Sequence, residues 1–229
     1  MNTKIIEMIK DRIIDQITMQ GVLPMYITDD FEVMKRTVQL CLEAGLTTLE
    51  VLNRIPNSLD IFKQLMQFVK DNIPGFKLIA GTITDVETAY RFIKAGASMI
   101  IAPNMDEEIG NVCIDNGIEW LPGVFTISEI YKAKKIGAVG FKLFPANLSS
   151  PDFVRTAKTL LPDIKLIASG GIRLNEDSIP KWINSGTDAV AFGNSFFSRD
   201  ILFDEVFEDH KKQIKHTIEL IHILRNNAL

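Results

Sequence analysis

The chain has 229 residues, of which 46% are hydrophobic and 24% are charged, and this ordinary globular composition indicates that it can bury a sizeable core. Its formal net charge is −4 and its lysines and arginines form no stripe, which argues against a nucleic-acid partner. No apolar run approaches the roughly 20 residues that cross a bilayer, and residues 1–20 mix acids and lysines with isoleucines, unlike a signal peptide. We therefore expect a cytoplasmic protein with no membrane partner.

The first predicted element is an amphipathic helix over residues 3–19. Ile5, Ile9, Ile13 and Ile17 recur in it every four residues, which places them on one face. Gly21 is a typical helix stop. We interpret this helix as a cap over one end of a core.

From residue 22 the sequence alternates between strands and helices. Apolar and β-branched runs between turn residues predict strands at 22–27, 47–52, 77–81, 98–102, 119–121, 138–144, 165–169 and 188–192. Apolar periodicity predicts helices at 29–44, 56–71, 85–95, 106–116, 127–136, 151–161, 175–184 and from 195 to the end, the last in two pieces.

Eight strand–helix units with short connections are typical of a (β/α)8 barrel. We therefore expect the α/β class and a TIM barrel that forms a single domain over residues 1–229. An extra N-terminal helix and a C-terminal helical extension would pack onto it. The alternative is a doubly wound open sheet.

The sixth strand carries one lysine in an apolar run, Lys142. Alternation along the strand predicts that Lys142 faces inward with Ala138 and Gly140, whereas Val139, Phe141 and Leu143 face an outer apolar layer. An amine on a crowded inner face loses hydration, which favours its neutral form. A neutral amine is a nucleophile that can form a Schiff base with a ketone. The alternative is a strand-end lysine that snorkels to water.

In a (β/α)8 barrel the active site lies at the carboxyl ends of the strands. Lys142 lies near the end of its strand, whereas Lys77 and Lys165 begin theirs. The second strand ends with Glu50 and Arg54, which alternation predicts to face inward. Glu50 is suited to proton transfer and the Arg54 guanidinium to a substrate carboxylate. The alternative is a structural ion pair between these two residues.

Three further strand ends carry polar or glycine-rich sequence. Thr82 is suited to hydrogen bonding with a ligand, although it is also suited to the N-cap of the next helix. The turns Ser169-Gly170-Gly171 and Gly193-Asn194-Ser195 expose backbone N–H groups where a phosphate commonly binds. All three histidines lie in the last twenty residues, so we expect no metal site and no cofactor. Together, the amine, the carboxylate, the guanidinium and the glycine turns favour imine chemistry on a phosphorylated keto acid.

The joint order of short motifs is more specific than any one of them. The motifs are Leu49-Glu50-Val51 with Arg54, Ala80-Gly81-Thr82, Ala102-Pro103, Leu121-Pro122-Gly123, Ser128-Glu129, Phe141-Lys142-Leu143-Phe144-Pro145-Ala146, Ser169-Gly170-Gly171-Ile172 and Gly193-Asn194-Ser195. In this order the chain resembles the 2-dehydro-3-deoxy-phosphogluconate (KDPG) and 4-hydroxy-2-oxoglutarate (KHG) aldolases, from about Val22 to Phe197. The resemblance implies a metal-independent class I aldolase on a (β/α)8 barrel, usually a homotrimer, which acts on a phosphorylated keto acid and releases pyruvate.

The resemblance also implies a role for each matching residue. Lys142 matches the Schiff-base lysine and Glu50 the acid–base glutamate. Arg54 and Thr82 match the binders of the substrate carboxylate, and Pro103 and Phe144 line the substrate pocket. The phosphate site is matched by Ser169, Gly170, Gly171, Gly193 and Ser195.

Some positions bear on the choice of sugar acid. Asn104 stands where many family members have glycine, and residues 146–154 resemble the phosphogalactonate aldolases, whereas Arg54 favours the gluconate branch. We expect cleavage of 2-dehydro-3-deoxy-6-phosphogluconate to pyruvate and glyceraldehyde 3-phosphate, with 4-hydroxy-2-oxoglutarate as a further substrate. The alternatives are a phosphogalactonate aldolase, a sugar-phosphate isomerase or epimerase on the same barrel, and a non-catalytic sugar-phosphate binder.

Overall fold

The computed structural model describes residues 12–227, and over that range short parallel strands alternate with helices. The strands are β1 Val22–Tyr26, β2 Thr48–Leu52, β3 Lys77–Gly81, β4 Met99–Ile101, β5 Glu119–Leu121, β6 Gly123–Val124, β7 Phe141–Leu143, β8 Leu166–Ala168 and β9 Ala189–Phe192. The helices are α1 Ile13–Gln20, α2 Phe31–Glu43, α3 Ser58–Asn72, α4 Val86–Lys94, α5 Glu107–Asp115, α6 Ile127–Ile136, α7 Pro151–Leu160, α8 Ser178–Ile183 and α9 Asp204–Asn226.

The sheet closes into a barrel through a strand that is split in two. The order of the strands is β5-β4-β3-β2-β1-β9-β8-β7-β6, and Pro122 separates β5 from β6. β5 pairs with β4 and β6 pairs with β7, so the two pieces form one position of an eight-position barrel. The predicted (β/α)8 fold is thus confirmed. The prediction missed β6 because proline and glycine at 122–123 are typical of a turn.

Short polar side chains set where several helices begin. Asp30, Asp85 and Asp106 each accept backbone N–H bonds from the first turn of α2, α4 and α5, which satisfies donors that lack a partner within the helix. Asp85 therefore fills the N-cap position that was the alternative for Thr82. Helix α3 begins at Ser58, two residues later than predicted, so Pro56 precedes it.

Helix α1 closes the amino end of the barrel, as predicted for a cap. Ile13, Ile14 and Ile17 are buried in the inner apolar cluster, and Gly21 ends the helix in a left-handed conformation. The Glu119 carboxylate, at the start of β5, accepts the N–H groups of Ile13 and Ile14 at 2.8 and 3.0 Å. Residues 3–11 of the predicted helix lie outside the described residues.

Two apolar layers surround the strands, and they fix which side chains face the barrel interior. The inner cluster takes side chains from the strands, among them Ile79, Ile101, Leu121 and Ile167. The outer cluster lies between the strands and the surrounding helices. A residue on the inner face near the carboxyl end of a strand therefore lies above the inner cluster.

The approach to β7 differs from the prediction. Phe141 and Leu143 lie in the outer cluster, as expected. Val139, however, packs with the inner cluster and Ala138 with the outer one, which reverses their predicted directions. The reason is that the strand begins only at Phe141, so the alternation does not extend back to these residues.

The C-terminal region forms two helical pieces, as predicted. The first is a 3₁₀ turn at Arg199–Leu202, after a turn at 193–196, and the second is α9. Arg225 of α9 donates to the Thr18 carbonyl at 2.7 Å, so α9 packs on the end of α1. Within residues 12–227, no helix is long and apolar enough to cross a membrane.

Candidate active site

A buried ion pair lies at the centre of the barrel mouth. The Nζ atom of Lys142 on β7 is 2.9 Å from Oε1 of Glu50 on β2, and the two side chains are 4% and 0% exposed. Lys142 therefore does not reach water, and Glu50 pairs with Lys142 rather than with Arg54. The alternation along β2 explains the direction of Glu50, because Leu49 and Val51 pack in the outer cluster.

Gly81, the last residue of β3, makes room for the glutamate. A Cβ at this position would lie 2.1 Å from Oε1 and 2.5 Å from Cγ of Glu50. The other carboxylate oxygen, Oε2, is buried and has no hydrogen-bond partner among the described residues. An oxygen in that state is free to accept a proton or a hydrogen bond from a molecule in the barrel mouth.

Arg54 and Thr82 meet at the rim, one strand apart. The Nε atom of Arg54 donates to Oγ1 of Thr82 at 3.0 Å. Thr82 has φ +59°, a left-handed conformation that is rare for a β-branched residue and is found mostly at functional sites. Arg54 is exposed at this rim, and its inward direction stays a prediction. The strand ends at Leu52, and alternation does not hold beyond it.

Phe144 and Pro103 lie just after the carboxyl ends of β7 and β4. The Lys142 Nζ atom is 5.8 Å from the centroid of the Phe144 ring. Pro103 follows β4 and is half-buried, and a Cβ on Gly123 would lie 2.1 Å from its carbonyl oxygen. Both residues thus have fixed positions around the barrel mouth.

The turn after β8 is tightly packed and leaves one polar atom without a partner. Gly170 and Gly171 have φ +94° and +71°, and a Cβ on Gly171 would lie 2.5 Å from Cβ of Asn147. Only glycine fits both constraints. The Oγ atom of Ser169 is buried and has no hydrogen-bond partner among the described residues. This hydroxyl remains available to a ligand.

The turn after β9 is more open. The Phe196 N–H donates to the Gly193 carbonyl at 2.8 Å, which closes the turn, and Ser195 is exposed. Since β8 and β9 are neighbours in the sheet, this turn lies beside the one at Gly170-Gly171.

The structure also shows residues that the prediction missed. A cleft of about 720 Å³ lies over the end of β1, lined in part by Tyr26, Phe197, Asp29 and Arg199. The Arg199 guanidinium forms an ion pair with Asp29 across this cleft. In the sequence Asp29 resembles a helix cap and Arg199 stands in a helix-like segment, so no local signal marked them.

Chemically, the centre combines an amine, a carboxylate 2.9 Å away and a second carboxylate oxygen without a partner. The carboxylate is close enough to take a proton from the amine and return it. The guanidinium of Arg54 offers a planar fork for a carboxylate at one side of the mouth. The turns after β8 and β9 offer N–H groups and hydroxyls at two further strand ends.

Comparison with known proteins gives relatives of two kinds. The sequence model of the KDPG and KHG aldolase family matches residues 13–212. The chain is 35% identical to the 2-dehydro-3-deoxy-phosphogluconate aldolase of Pseudomonas aeruginosa over 132 residues, which are 57% of this chain and 58% of that protein. It is 27% identical to the 2-dehydro-3-deoxy-6-phosphogalactonate aldolase of Escherichia coli over 158 residues, 68% of this chain and 74% of that one.

Solved structures have the same fold. The KDPG aldolase of Legionella pneumophila, solved with pyruvate captured as a covalent carbinolamine, superposes with a TM-score of 0.78 over 89% of this chain and 97% of that chain, at 20% identity. The family match covers most of the chain, and two pairs of the matching residues are in contact, Lys142 with Glu50 and Arg54 with Thr82. The chain therefore belongs to the KDPG and KHG aldolase family.

Proposed function

We propose that the protein is a class I aldolase that cleaves 2-dehydro-3-deoxy-6-phosphogluconate to pyruvate and glyceraldehyde 3-phosphate. The observation that carries this proposal is the buried pair of Lys142 and Glu50, with Nζ and Oε1 2.9 Å apart. A pair of this kind is retained at a cost in desolvation, which a structural role does not require. In a member of an aldolase family it supplies the nucleophile and its proton acceptor.

The first chemical step joins the substrate to the lysine. Glu50 takes a proton from the Lys142 ammonium, and the neutral amine attacks the C2 ketone to form a carbinolamine. The protonated Glu50 then returns its proton to the carbinolamine oxygen, which leaves as water. The product is a protonated imine between C2 and Nζ.

The second step breaks the carbon–carbon bond. Glu50 removes the proton from the C4 hydroxyl, the electrons of the C3–C4 bond move into the imine, and glyceraldehyde 3-phosphate leaves. The enamine that remains takes a proton at C3 from Glu50, and water hydrolyses the imine to release pyruvate and Lys142. Oε2, which has no partner among the described residues, is the atom suited to these transfers.

The two ends of the substrate are held by different strand ends of the mouth. Arg54 and Thr82 bind the carboxylate next to the ketone. The turns after β8 and β9 bind the phosphate through Ser169, Gly170, Gly171, Gly193 and Ser195. Pro103 and Phe144 line the pocket between them. Holding both ends places the C3–C4 bond over the amine, which lowers the entropic barrier.

The relatives include both phosphogluconate and phosphogalactonate aldolases, so the C4 epimer belongs in the substrate panel together with 4-hydroxy-2-oxoglutarate. A sugar-phosphate isomerase on the same barrel would need no imine and would keep its activity in Lys142→Arg. From the family resemblance we further infer a cytoplasmic homotrimer that needs no cofactor.

Borohydride reduction in the presence of pyruvate, followed by peptide mass spectrometry, tests the proposal. The expected result is a stable pyruvyl adduct on Lys142, which disappears in Lys142→Arg. Lys77 and Lys165 lie at the amino ends of β3 and β8 and serve as internal controls. An adduct on either of them, or none at all, would overturn the imine mechanism.

A further inference from the structure

The cleft over β1 joins the two ends of the proposed substrate site. Its lining comes from the loops after β9, β1 and β2, which are neighbours in that order. Asn194 lies at one end, inside the phosphate turn, and Ile55 at the other, directly after Arg54. At about 720 Å³ the cleft has the size of a small-molecule site.

The base of the cleft is aromatic and buried. Tyr26, the last residue of β1, packs on Phe197 with ring centroids 5.5 Å apart, and both residues are buried. Met25 on the same strand lies opposite Glu50 in the pairing of β1 with β2. The cleft is thus built on the strand that lies beside the catalytic glutamate.

The proposed phosphate site contains no charged side chain. Its hydroxyls and backbone N–H groups come from Ser169, Gly170, Gly171, Gly193 and Ser195, which are all neutral. A phosphate monoester carries a charge of about −1.5 to −2 at neutral pH. Arginine is the side chain that matches such an anion best, because its fork donates two parallel hydrogen bonds.

Among residues 12–227, Arg199 is the cation that lines this cleft. It shares the cleft with Asn194 of the phosphate turn, and its guanidinium pairs with Asp29 on the opposite wall. The two side chains are 62% and 64% exposed. Exposed ion pairs contribute little to stability, so Arg199 can leave Asp29 for a stronger anion at little cost.

We propose that Arg199 is a specificity-determining residue that binds the phosphate of the substrate and so selects phosphorylated over unphosphorylated keto acids. In the free enzyme Asp29 holds the guanidinium over the cleft. In the complex the phosphate replaces Asp29 as the partner of the guanidinium. This inference rests on the proposed function, since it assigns a ligand to the same site.

The test compares two substrates that differ only in the phosphate, namely 2-dehydro-3-deoxy-6-phosphogluconate and 2-dehydro-3-deoxygluconate. We expect Arg199→Gln to lower kcat/KM for the phosphorylated acid about 10- to 100-fold, the range of a charge-assisted hydrogen bond. Activity on the unphosphorylated acid should stay within threefold. The yield of the borohydride adduct with pyruvate should match the wild type, because pyruvate carries no phosphate.

Two further variants make the result specific. Arg155→Gln removes an exposed arginine that pairs with Asp152 at 3.1 Å on α7. It should leave kcat/KM unchanged for both substrates. Arg173→Gln removes the exposed arginine that follows the other glycine turn. A loss of phosphate preference in Arg173→Gln but not in Arg199→Gln would overturn the assignment, and so would an equal loss on both substrates.

The outcomes also separate this inference from the proposed function. A wild-type protein that forms no pyruvate adduct and cleaves neither acid would refute both proposals. If the wild type cleaves the phosphorylated acid and Arg199→Gln prefers that acid to the same degree, only the role of Arg199 is refuted.

Discussion

Lys142 and Glu50 come from strands on different sides of the barrel, and their Nζ and Oε1 atoms meet at 2.9 Å with almost no access to solvent. A carboxylate at this distance can serve as base and acid in turn. We expect Glu50→Gln to lower kcat about 10²- to 10⁴-fold, the usual range for a general acid–base group. Part of the borohydride-trapped pyruvate adduct should persist, because the amine remains in place. Equal losses in turnover and trapping would contradict the division of roles between the two residues.

The same pair makes a prediction about stability. Lys142→Met leaves the Glu50 carboxylate buried without its partner, so the free energy of unfolding should fall by about 3–5 kcal/mol. The double variant Lys142→Met/Glu50→Gln removes both charges and should recover most of that loss, although it cannot form an imine. Urea denaturation of the wild type, the two single variants and the double variant gives the coupling energy. Additive effects of the two substitutions would mean that the pair is not coupled.

Gly81 is predicted to be essential for activity although it has no functional group. In Gly81→Ala the new Cβ would lie 2.1 Å from Oε1 of Glu50, so the carboxylate must move away from Lys142. A displacement of about 1 Å in a catalytic group can reduce the rate about 10²-fold, which is the loss expected in kcat. Gly45→Ala is the control, because its Cβ meets nothing within 4 Å. It should lose stability through its left-handed backbone, with φ +92°, but retain kcat.

The sequence was sufficient for the strand–helix order and for the inward direction of Glu50 and Lys142, because both follow from local periodicity. It failed where periodicity stops. Val139 precedes β7, so alternation assigned it the wrong direction. The cleft at Arg199 depends on loops that are distant in the chain and meet only in the folded barrel, and no local pattern encodes such a contact.

Thr82→Gly should have opposite effects on stability and on substrate binding. Its left-handed backbone, with φ +59°, stores strain of about 1–3 kcal/mol, which glycine would relieve. Thr82→Gly should therefore keep or raise the free energy of unfolding. Thr84→Gly, two residues along in the same loop, should lower it by about 0.4–1 kcal/mol.

The kinetic effect of Thr82→Gly should run the other way. Its hydroxyl accepts the Arg54 Nε–H bond at 3.0 Å and so orients the guanidinium. We expect KM for the phosphorylated keto acid to rise about tenfold, whereas Thr84→Gly should leave KM unchanged. Steady-state kinetics and urea denaturation of the same two variants provide both measurements. A lower stability together with an unchanged KM in Thr82→Gly would refute this interpretation of the strain.

Glu119 links the N-terminal helix to the barrel and makes the stability depend on pH. Burial raises the pKa of its carboxyl above the ordinary value, and the hydrogen bonds from the N–H groups of Ile14 and Ile13 oppose only part of that rise. The folded state thus binds a proton at a higher pH than the unfolded state does. Lowering the pH through the folded pKa should therefore stabilise the wild type, with the full effect below the unfolded pKa.

Glu119→Gln is neutral at every pH and removes this contribution. The difference in unfolding free energy between the wild type and Glu119→Gln should shift in favour of the wild type as the pH is lowered from 7 to 4. Urea denaturation at several pH values measures it, and Glu219→Gln, an exposed change on α9, controls for the loss of a negative charge. A difference that moves in the opposite direction would show that the hydrogen bonds to α1, rather than burial, dominate the ionisation of Glu119.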